Sequence, residues 1–256
     1  KLVFNTSDLD QARSDFARDR YCVIDNILQK EYAQEIYDCV KHMNYGRWGC
    51  IHNSHQKISP DKLARVDEDA LREEYREGAQ GTFGYWHLAR WILKSEDCVF
   101  IDHPLTTYFT RVCVEDYAIG KPDPSFMDVA EYVSGFTNMY TNQPTYSAYD
   151  HNSWLKAHHD PRRWMAYIFY LNDVWETHWG GQLCIMNDDE NTIKTSIEPF
   201  GNRLLLMDVS ATIQDKINKH FISPVSYAAD HPRYSFTGWF YQKDTDGPSP
   251  NGENNE

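Results

Sequence analysis

The stretch SWLKAHHDPRRWMAYIFYLN, residues 153–172, carries the pattern that decides the fold. Two runs rich in aromatic and apolar residues, around 153–160 and 163–172, are separated by a turn-forming Asp-Pro pair. Such short runs, bounded by polar and turn residues, are typical of β-strands. We therefore predict two strands here, the first of which ends beside Pro161.

The same pattern of short aromatic and apolar runs, bounded by polar and turn residues, continues through the second half of the chain. Besides these two, seven further runs have it: GFTNMYT (135–141), TYSAYD (145–150), GQLCIM (181–186), TIKTSIEPF (192–200), RLLLMDV (203–209), KHFISPVSY (219–227) and PRYSFTGWFY (232–241). Closely spaced strands with no intervening helix indicate a jelly roll or a related barrel, open at one end for a ligand.

The first 135 residues are predicted to be rich in helix. The segment 7–21 opens on Ser7, a good N-cap, and repeats apolar residues at helical spacing. YCVID (21–25) predicts a short buried strand, and 29–43 predicts an amphipathic helix that lies on a sheet.

Between this helix and the strand-rich half the pattern is less regular. We expect a charged helix from Asp61 onward and another from Pro104 to Tyr117. The segments 44–57 and 80–91 place glycines among aromatic residues, which is typical of surface loops or of loops that cover a ligand.

These elements predict a mainly β protein with flanking helices (α+β). Residues 1–243 should form a single domain, with a helix-rich part (1–135) packed on a double-stranded β-helix (jelly-roll) core (136–243). The polar, turn-rich residues 244–256 are predicted to be a disordered tail.

Composition excludes several classes of function. The net charge is -13 and Lys and Arg form no basic stripe, so we expect no nucleic-acid partner. The apolar runs are too short to cross a bilayer, so we expect no membrane partner and a cytoplasmic location. Six scattered cysteines without paired spacing are expected to be reduced thiols.

A candidate metal site lies in the first run. Because side chains alternate along a strand, His158 and Asp160 should project together, whereas His159 should point the other way. His220, in another predicted strand, is the candidate third ligand. Two imidazoles and one carboxylate are the facial ligand set of non-haem Fe(II) oxygenases, although zinc accepts the same ligands.

A candidate anion site lies in the last run. Arg233, Ser235 and Thr237 share one face of their predicted strand, and a guanidinium beside hydroxyls can clamp a carboxylate. A metal site and a carboxylate clamp in one barrel point to 2-oxoglutarate, which chelates iron at one end and carries a carboxylate at the other.

At this point the sequence resembles a known family, the 2-oxoglutarate- and Fe(II)-dependent dioxygenases of the prolyl-hydroxylase type. YDHNSWLKAHHD (149–160) is similar to that family's metal strand, and IFYLNDVWETHWGGQLCI (168–185) to its Tyr-Leu-Asn and Gly-Gly segment. Its closing strands are matched by IEPFGNRLLLM (197–207) and HFISPVSYAADHPRYSFTGWFY (220–241). The resemblance covers residues 136–241 in matching order. A weaker similarity, to the helix and strand that open the family's domain, lies in FARDRYCVIDNIL (16–28).

The resemblance implies an enzyme that hydroxylates an aliphatic C–H bond and releases succinate and CO2. It implies His158, Asp160 and His220 as iron ligands and Arg233 as the salt bridge to 2-oxoglutarate. Thr237 and Tyr170 would hydrogen-bond the same carboxylate, and Tyr149 would line the pocket. Fe(II), 2-oxoglutarate and O2 are the implied cofactor and cosubstrates, with ascorbate as a supporting reductant.

The chain departs from the family pattern at 208–218, which is longer than the usual turn and leaves the partner strand of His220 open. His178 and His151, in predicted loops, are rival ligands.

The substrate is the least determined feature. Trp154, Arg162, Arg163 and Trp86 are the candidate substrate-binding residues, and the two arginines could instead be solvated charges in a turn. We expect a small molecule or a free amino acid as substrate. The alternatives are a prolyl or other residue of a peptide or protein, and a non-oxygenase metal-binding module of the cupin kind.

Overall fold

Three helices and four strands precede the barrel in a computed structural model that describes residues 2, 6–42, 49–52, 56–58, 83–88, 126–160, 163–210 and 218–242. The helices are α1 (Thr6–Asp19), α2 (Lys30–Lys41) and α3 (Phe126–Ser134). The strands are β1 (Tyr21–Asp25), β2 (Gly49–His52), β3 (Gln56–Ile58) and β4 (Phe83–Leu88). None of the helices in the described part is long and apolar enough to cross a membrane.

Eight further strands form the barrel. They are β5 (Met139–Tyr149), β6 (Trp154–His158), β7 (Met165–Tyr170), β8 (Leu183–Met186), β9 (Ile193–Ile197), β10 (Arg203–Asp208), β11 (His220–Ile222) and β12 (Arg233–Gln242). Strand order is β1-β10-β7-β12-β5 followed by β4-β6-β11-β8-β9, with antiparallel pairing at every step. The barrel strands thus form two halves of one continuous sheet. One half is β10-β7-β12-β5, which β1 extends and which is called the larger sheet below; the other is β6-β11-β8-β9, joined to it through β4. This strand order confirms the double-stranded β-helix.

The two faces of β12 show how the core is divided. Tyr234, Phe236 and Phe240 point outward and pack with the apolar faces of the helices. The opposite face carries Arg233 and Ser235 into the space between the two halves, where a second apolar cluster includes Tyr149 and Tyr170. Alternation along one strand thus separates the structural core from the interior of the barrel.

The N-terminal elements follow the predicted pattern with one shift. Leu9, Ala12 and Phe16 are the buried face of α1, but this helix starts at Thr6, so Ser7 lies inside it rather than at its N-cap. Strand β1 extends the larger sheet by pairing with β10, as the predicted buried strand requires. Helix α2 buries Ile36 and Val40 as expected.

Two sequence predictions need correction. The segments 44–57 and 80–91 are not simply loops, because β2, β3 and β4 lie in them, and β4 pairs with both β5 and β6. The two strands predicted at 135–141 and 145–150 are one strand, β5. The helices predicted from Asp61 and over 104–117, and the tail 244–256, lie outside the described residues.

Candidate metal and carboxylate site

His158, Asp160 and His220, called the triad below, are brought together by strand pairing. His158 is the last residue of β6 and lies opposite His220, the first residue of β11. The structure thus supplies the partner strands of His220, which are β6 and β8. One potential ligand atom from each residue of the triad lies within 4.8 Å of the others. This spacing allows a single metal ion to contact all three.

Backbone carbonyls set the orientation of both imidazole rings. The Nδ1 atom of His158 lies 2.8 Å from the carbonyl oxygen of Lys156, and that of His220 lies 2.8 Å from the carbonyl oxygen of Asn218. Because a carbonyl only accepts, Nδ1 must carry the proton in each ring. The Nε2 lone pairs therefore remain for a metal, and they lie 3.9 Å and 3.7 Å from the carboxylate oxygens of Asp160.

Asp160 is buried and ionised. Burial alone would raise the pKa of this carboxyl, but the charges of His220, Arg163 and His158 and a hydrogen bond from Trp239 outweigh it, so the pKa is lowered. Arg163 donates from Nη1 to Oδ1 at 2.6 Å, and Trp239 donates from Nε1 to Oδ2 at 2.9 Å. The triad therefore contains one negative charge at neutral pH.

His220 is held as a neutral ligand. Burial lowers the pKa of its imidazole to about 4, and the nearby Asp160 carboxylate opposes this only in part. At neutral pH the imidazole is unprotonated, which is the form that binds metals.

Arg233 provides a second polar centre inside the same barrel. Its side chain is fully buried, and its guanidinium lies 4.9 Å and 5.0 Å from the ring centres of Tyr149 and Tyr170. It donates from Nη1 to Ser235 Oγ at 3.3 Å, but its Nε and Nη2 have no hydrogen-bond partner among the described residues.

The surroundings of Arg233 add further polar groups. The Tyr170 hydroxyl is also buried without a hydrogen-bond partner in the described part of the chain, and burial raises its pKa, which keeps it protonated. Thr237 lies two residues beyond Ser235 on the same strand and is half-buried. Buried donors without acceptors are costly, so this group of side chains is suited to an anionic ligand.

The comparison with known sequences finds one matching family. Residues 144–241 match the sequence profile of the 2OG-Fe(II) oxygenase superfamily, and this segment contains the triad, Arg233, Tyr149, Tyr170 and Thr237. Over these residues, which are less than half of the chain, the protein is similar to that superfamily. The match confirms the resemblance to 2-oxoglutarate- and Fe(II)-dependent oxygenases, whereas no protein with a curated function matches the chain by sequence.

Solved structures of superfamily members and related oxygenases share the fold. A Pseudomonas putida prolyl-4-hydroxylase superposes with a TM-score of 0.56 at 16% identity, covering 92% of this chain and 99% of that one. A Trichoplax adhaerens prolyl hydroxylase in complex with a hypoxia inducible factor peptide gives 0.57 at 17% identity, covering 94% of each chain. The non-heme alpha ketoglutarate dependent epimerase SnoN from nogalamycin biosynthesis gives 0.55 at 12% identity, covering 93% and 84%.

The match to the 2OG-Fe(II) oxygenase superfamily implies Fe(II), 2-oxoglutarate and O2, and it supports an oxidoreductase of the hydroxylase type. The residues present fit these groups. Two imidazoles and a carboxylate are a donor set that Fe(II) accepts with positions to spare. The unpartnered N–H groups of Arg233 match the acceptor oxygens of a carboxylate.

The other histidines considered as ligands lie outside the triad. His159 faces Glu190, with 3.3 Å between its Nε2 and a carboxylate oxygen. His178 is largely exposed beside Glu176, and the Nε2 of His151 lies 2.8 Å from the carbonyl oxygen of Ala229. The register that turns His159 away from His158 and Asp160 is the one that alternation predicts.

The residues predicted to bind substrate lie in different parts of the structure, and their role stays a prediction. Arg163 lies at the site, but its guanidinium contacts Asp160 and lies 4.1 Å from the ring centre of Trp239. Trp154 is half-buried at the start of β6. Trp86 lies in β4 opposite Ala148, and Arg162 lies outside the described residues.

Trp239 is a site residue that the sequence argument missed. It lies on the same face of β12 as Arg233, Ser235 and Thr237, so strand alternation carried the signal. Its contact with Asp160 could not be read from alternation, because it joins two strands far apart in the chain.

Proposed function

We propose that the protein is an Fe(II)- and 2-oxoglutarate-dependent dioxygenase that hydroxylates an aliphatic C–H bond of a small molecule or free amino acid. The observation that carries the proposal is the buried Arg233 guanidinium, which has two unpartnered N–H positions inside the barrel that holds the triad. A cupin-like module that binds only a metal has no need for such a group. The superfamily match also argues against that alternative.

Each residue has a defined task in this proposal. His158, Asp160 and His220 hold Fe(II) through the two Nε2 atoms and the carboxylate. Arg233 binds the far carboxylate of 2-oxoglutarate, Thr237 and Tyr170 donate hydrogen bonds to it, and Tyr149 lines the pocket. When bound, Fe(II) and 2-oxoglutarate supply the activation of dioxygen, with release of succinate and CO2.

Burial of these residues serves the same chemistry. The exposed fractions of Asp160, His220 and Arg233 are 7%, 4% and 0%, so the polar groups lie out of bulk water. In such surroundings an ion pair between Arg233 and a carboxylate is stronger than at the surface. The side chains are also fixed before the ligands arrive, which lowers the cost of binding.

A compact substrate is favoured by the pairing of β6. Leu155 on this strand is paired with Ile222 of β11 on one side and with Phe83 of β4 on the other. An extended peptide therefore finds no open backbone edge at this point of the strand that carries His158. A peptide substrate is the alternative, since the Trichoplax adhaerens protein of the same fold is a prolyl hydroxylase bound to a peptide.

The test is a turnover screen with purified protein, Fe(II), 2-oxoglutarate, ascorbate and air. Succinate is quantified, and free amino acids, small metabolites and proline-containing peptides are examined by mass spectrometry for the gain of one oxygen atom. We expect oxygen gain in a small molecule and none in the His158→Ala control. Oxygen gain only in peptides would overturn the small-molecule substrate and support the alternative, a peptide hydroxylase. Failure to bind both Fe(II) and 2-oxoglutarate in anaerobic calorimetry would overturn the dioxygenase function.

A further inference from the structure

Asp160 is the member of the triad that strand pairing does not hold. His158 and His220 lie on paired strands, and a backbone carbonyl orients each ring. Asp160 lies two residues beyond the end of β6, in a segment without strand structure. In the described part of the chain, its side chain makes the contacts that hold it.

Both carboxylate oxygens of Asp160 accept hydrogen bonds from residues outside the triad. Arg163 Nη1 donates to Oδ1 at 2.6 Å, and Trp239 Nε1 donates to Oδ2 at 2.9 Å. Because each donor takes a different oxygen, rotation of the carboxylate about its own axis breaks both bonds. The remaining lone pairs are directed by this arrangement, with Oδ1 3.9 Å from His158 Nε2 and Oδ2 3.7 Å from His220 Nε2.

The two donors also hold each other. The Arg163 guanidinium lies over the Trp239 ring, 4.1 Å from its centre, a distance at which a cation and an indole attract. Trp239 belongs to β12, which is paired with β5 on one side and β7 on the other. The orientation of Asp160 is therefore fixed from the middle of the larger sheet.

We propose that Arg163 and Trp239 are positioning residues that orient the Asp160 carboxylate for metal binding; the proposal rests on the metal site proposed above. In this role Arg163 acts on the protein side of the metal centre rather than on the substrate. Partners of this kind, one step removed from the metal, commonly change metal affinity by about 10- to 100-fold when they are replaced.

The experiment measures Co(II) binding, without cosubstrate or substrate, to three variants. Trp239→Phe keeps a ring for stacking and removes the N–H donor, Arg163→Met removes the charge and the donor, and Arg163→Lys keeps the charge without the planar fork. Isothermal titration gives the affinity, and the visible absorption of bound Co(II) reports the ligand geometry. Far-ultraviolet circular dichroism and thermal melting establish that each variant is folded.

Arg203→Met is the matched control. Arg203 also pairs with an aspartate, Asp25, with Nε 2.6 Å from Oδ1, and its guanidinium also lies over an aromatic ring, that of Phe200 at 5.0 Å. It lies on β10 and contacts none of the triad. This control shows what the loss of any arginine–aspartate pair does to the protein. An effect seen only in the Arg163 variants then belongs to the pair of Arg163 with Asp160.

We expect Trp239→Phe and Arg163→Met to weaken Co(II) binding by about 10-fold or more and to alter the Co(II) spectrum. Arg163→Lys should recover part of the affinity, and Arg203→Met should match the wild type. Wild-type affinity and spectrum in folded Trp239→Phe and Arg163→Met would overturn the positioning role and leave the metal site intact. Absence of Co(II) binding in the wild type would instead overturn the metal site, and the positioning role with it.

Discussion

His158 and His220 face each other directly across two paired antiparallel strands, with their imidazole ring centres 4.4 Å apart. The register of β6 with β11 sets this distance, and the Nδ1 bonds to backbone carbonyls set the ring orientations. Two donors of the proposed metal site are thus arranged by the backbone before any metal binds. Such prior arrangement is what gives a site affinity and a fixed geometry.

The first prediction concerns which of the adjacent histidines binds metal. His158→Ala and His220→Ala each remove one of three ligands. Co(II) affinity should therefore fall by at least about 100-fold, which corresponds to about 2.8 kcal/mol of binding free energy. His159→Ala should retain wild-type affinity, because its ring faces Glu190. Anaerobic calorimetry measures all three. Loss of Co(II) binding in His159→Ala alone would show that the assignment of the two histidines is wrong.

A second prediction concerns Arg233. Arg233→Met should weaken 2-oxoglutarate binding to the Co(II)-loaded protein by about 10-fold or more, because hydrogen bonds to charged groups contribute about 1.5–3 kcal/mol. The metal-free variant should lose little stability. The substitution removes the bond to Ser235 and the contacts with two tyrosine rings, but it also removes two buried nitrogen donors that have no acceptor in the described part of the protein. Calorimetry and thermal melting measure the two effects. A variant with lowered melting temperature and unchanged affinity would contradict this role.

How far the sequence predicts this site depends on the range of the contacts. Alternation along one strand placed Arg233 beside Ser235, and the structure shows their hydrogen bond. Alternation also placed Asp160 with His158, although the strand ends at His158. What it could not supply was the pair of donors that hold Asp160, because the Trp239 bond depends on how distant strands pack.

Contacts between distant parts of the chain also explain where the predicted fold was wrong. The glycines near Trp86 suggested a loop, but β4 is held by pairing with Ala148 of a strand distant in sequence, which no local pattern reports. The two strands predicted at 135–141 and 145–150 were separated by a short segment that ends in Pro144, but β5 continues through it. The register of β5 with β12 shifts between Thr237 and Trp239, opposite this proline, and such irregularities tolerate a residue without an N–H donor.

Gly181 leads to a third prediction, because its backbone packs against Arg233. A Cβ added at Gly181 would lie 3.0 Å from Arg233 Cδ and 3.2 Å from Trp175 Cζ2, and the residue has a left-handed φ of +70°. Gly181→Ala should therefore displace Arg233 and weaken 2-oxoglutarate binding by about 10-fold, in addition to a strain cost of about 1–2 kcal/mol.

Gly135→Ala separates these two effects. Gly135 has nearly the same φ, +73°, but nothing within 4 Å of an added Cβ. It should show the loss of stability, measured by urea denaturation, without any change in 2-oxoglutarate affinity. Equal 2-oxoglutarate affinities in the two variants would mean that Gly181 does not support Arg233.

The last prediction concerns the pH dependence of stability in the metal-free protein. Burial lowers the pKa of His220 to about 4, whereas in the unfolded chain it is about 6.5. Between these values the unfolded state binds a proton that the folded state does not, so the free energy of unfolding falls as pH falls, by up to about 1.4 kcal/mol per pH unit. Above about pH 6.5 His220 is unprotonated in both states and no longer makes the free energy of unfolding depend on pH. Urea denaturation at pH 7 and pH 5 should therefore show a smaller difference in His220→Leu than in the wild type. His178→Gln, at an exposed histidine, should keep the wild-type difference. If His220→Leu also kept the full difference, the loss of stability would have to come from other groups, and His220 would not be held neutral by burial.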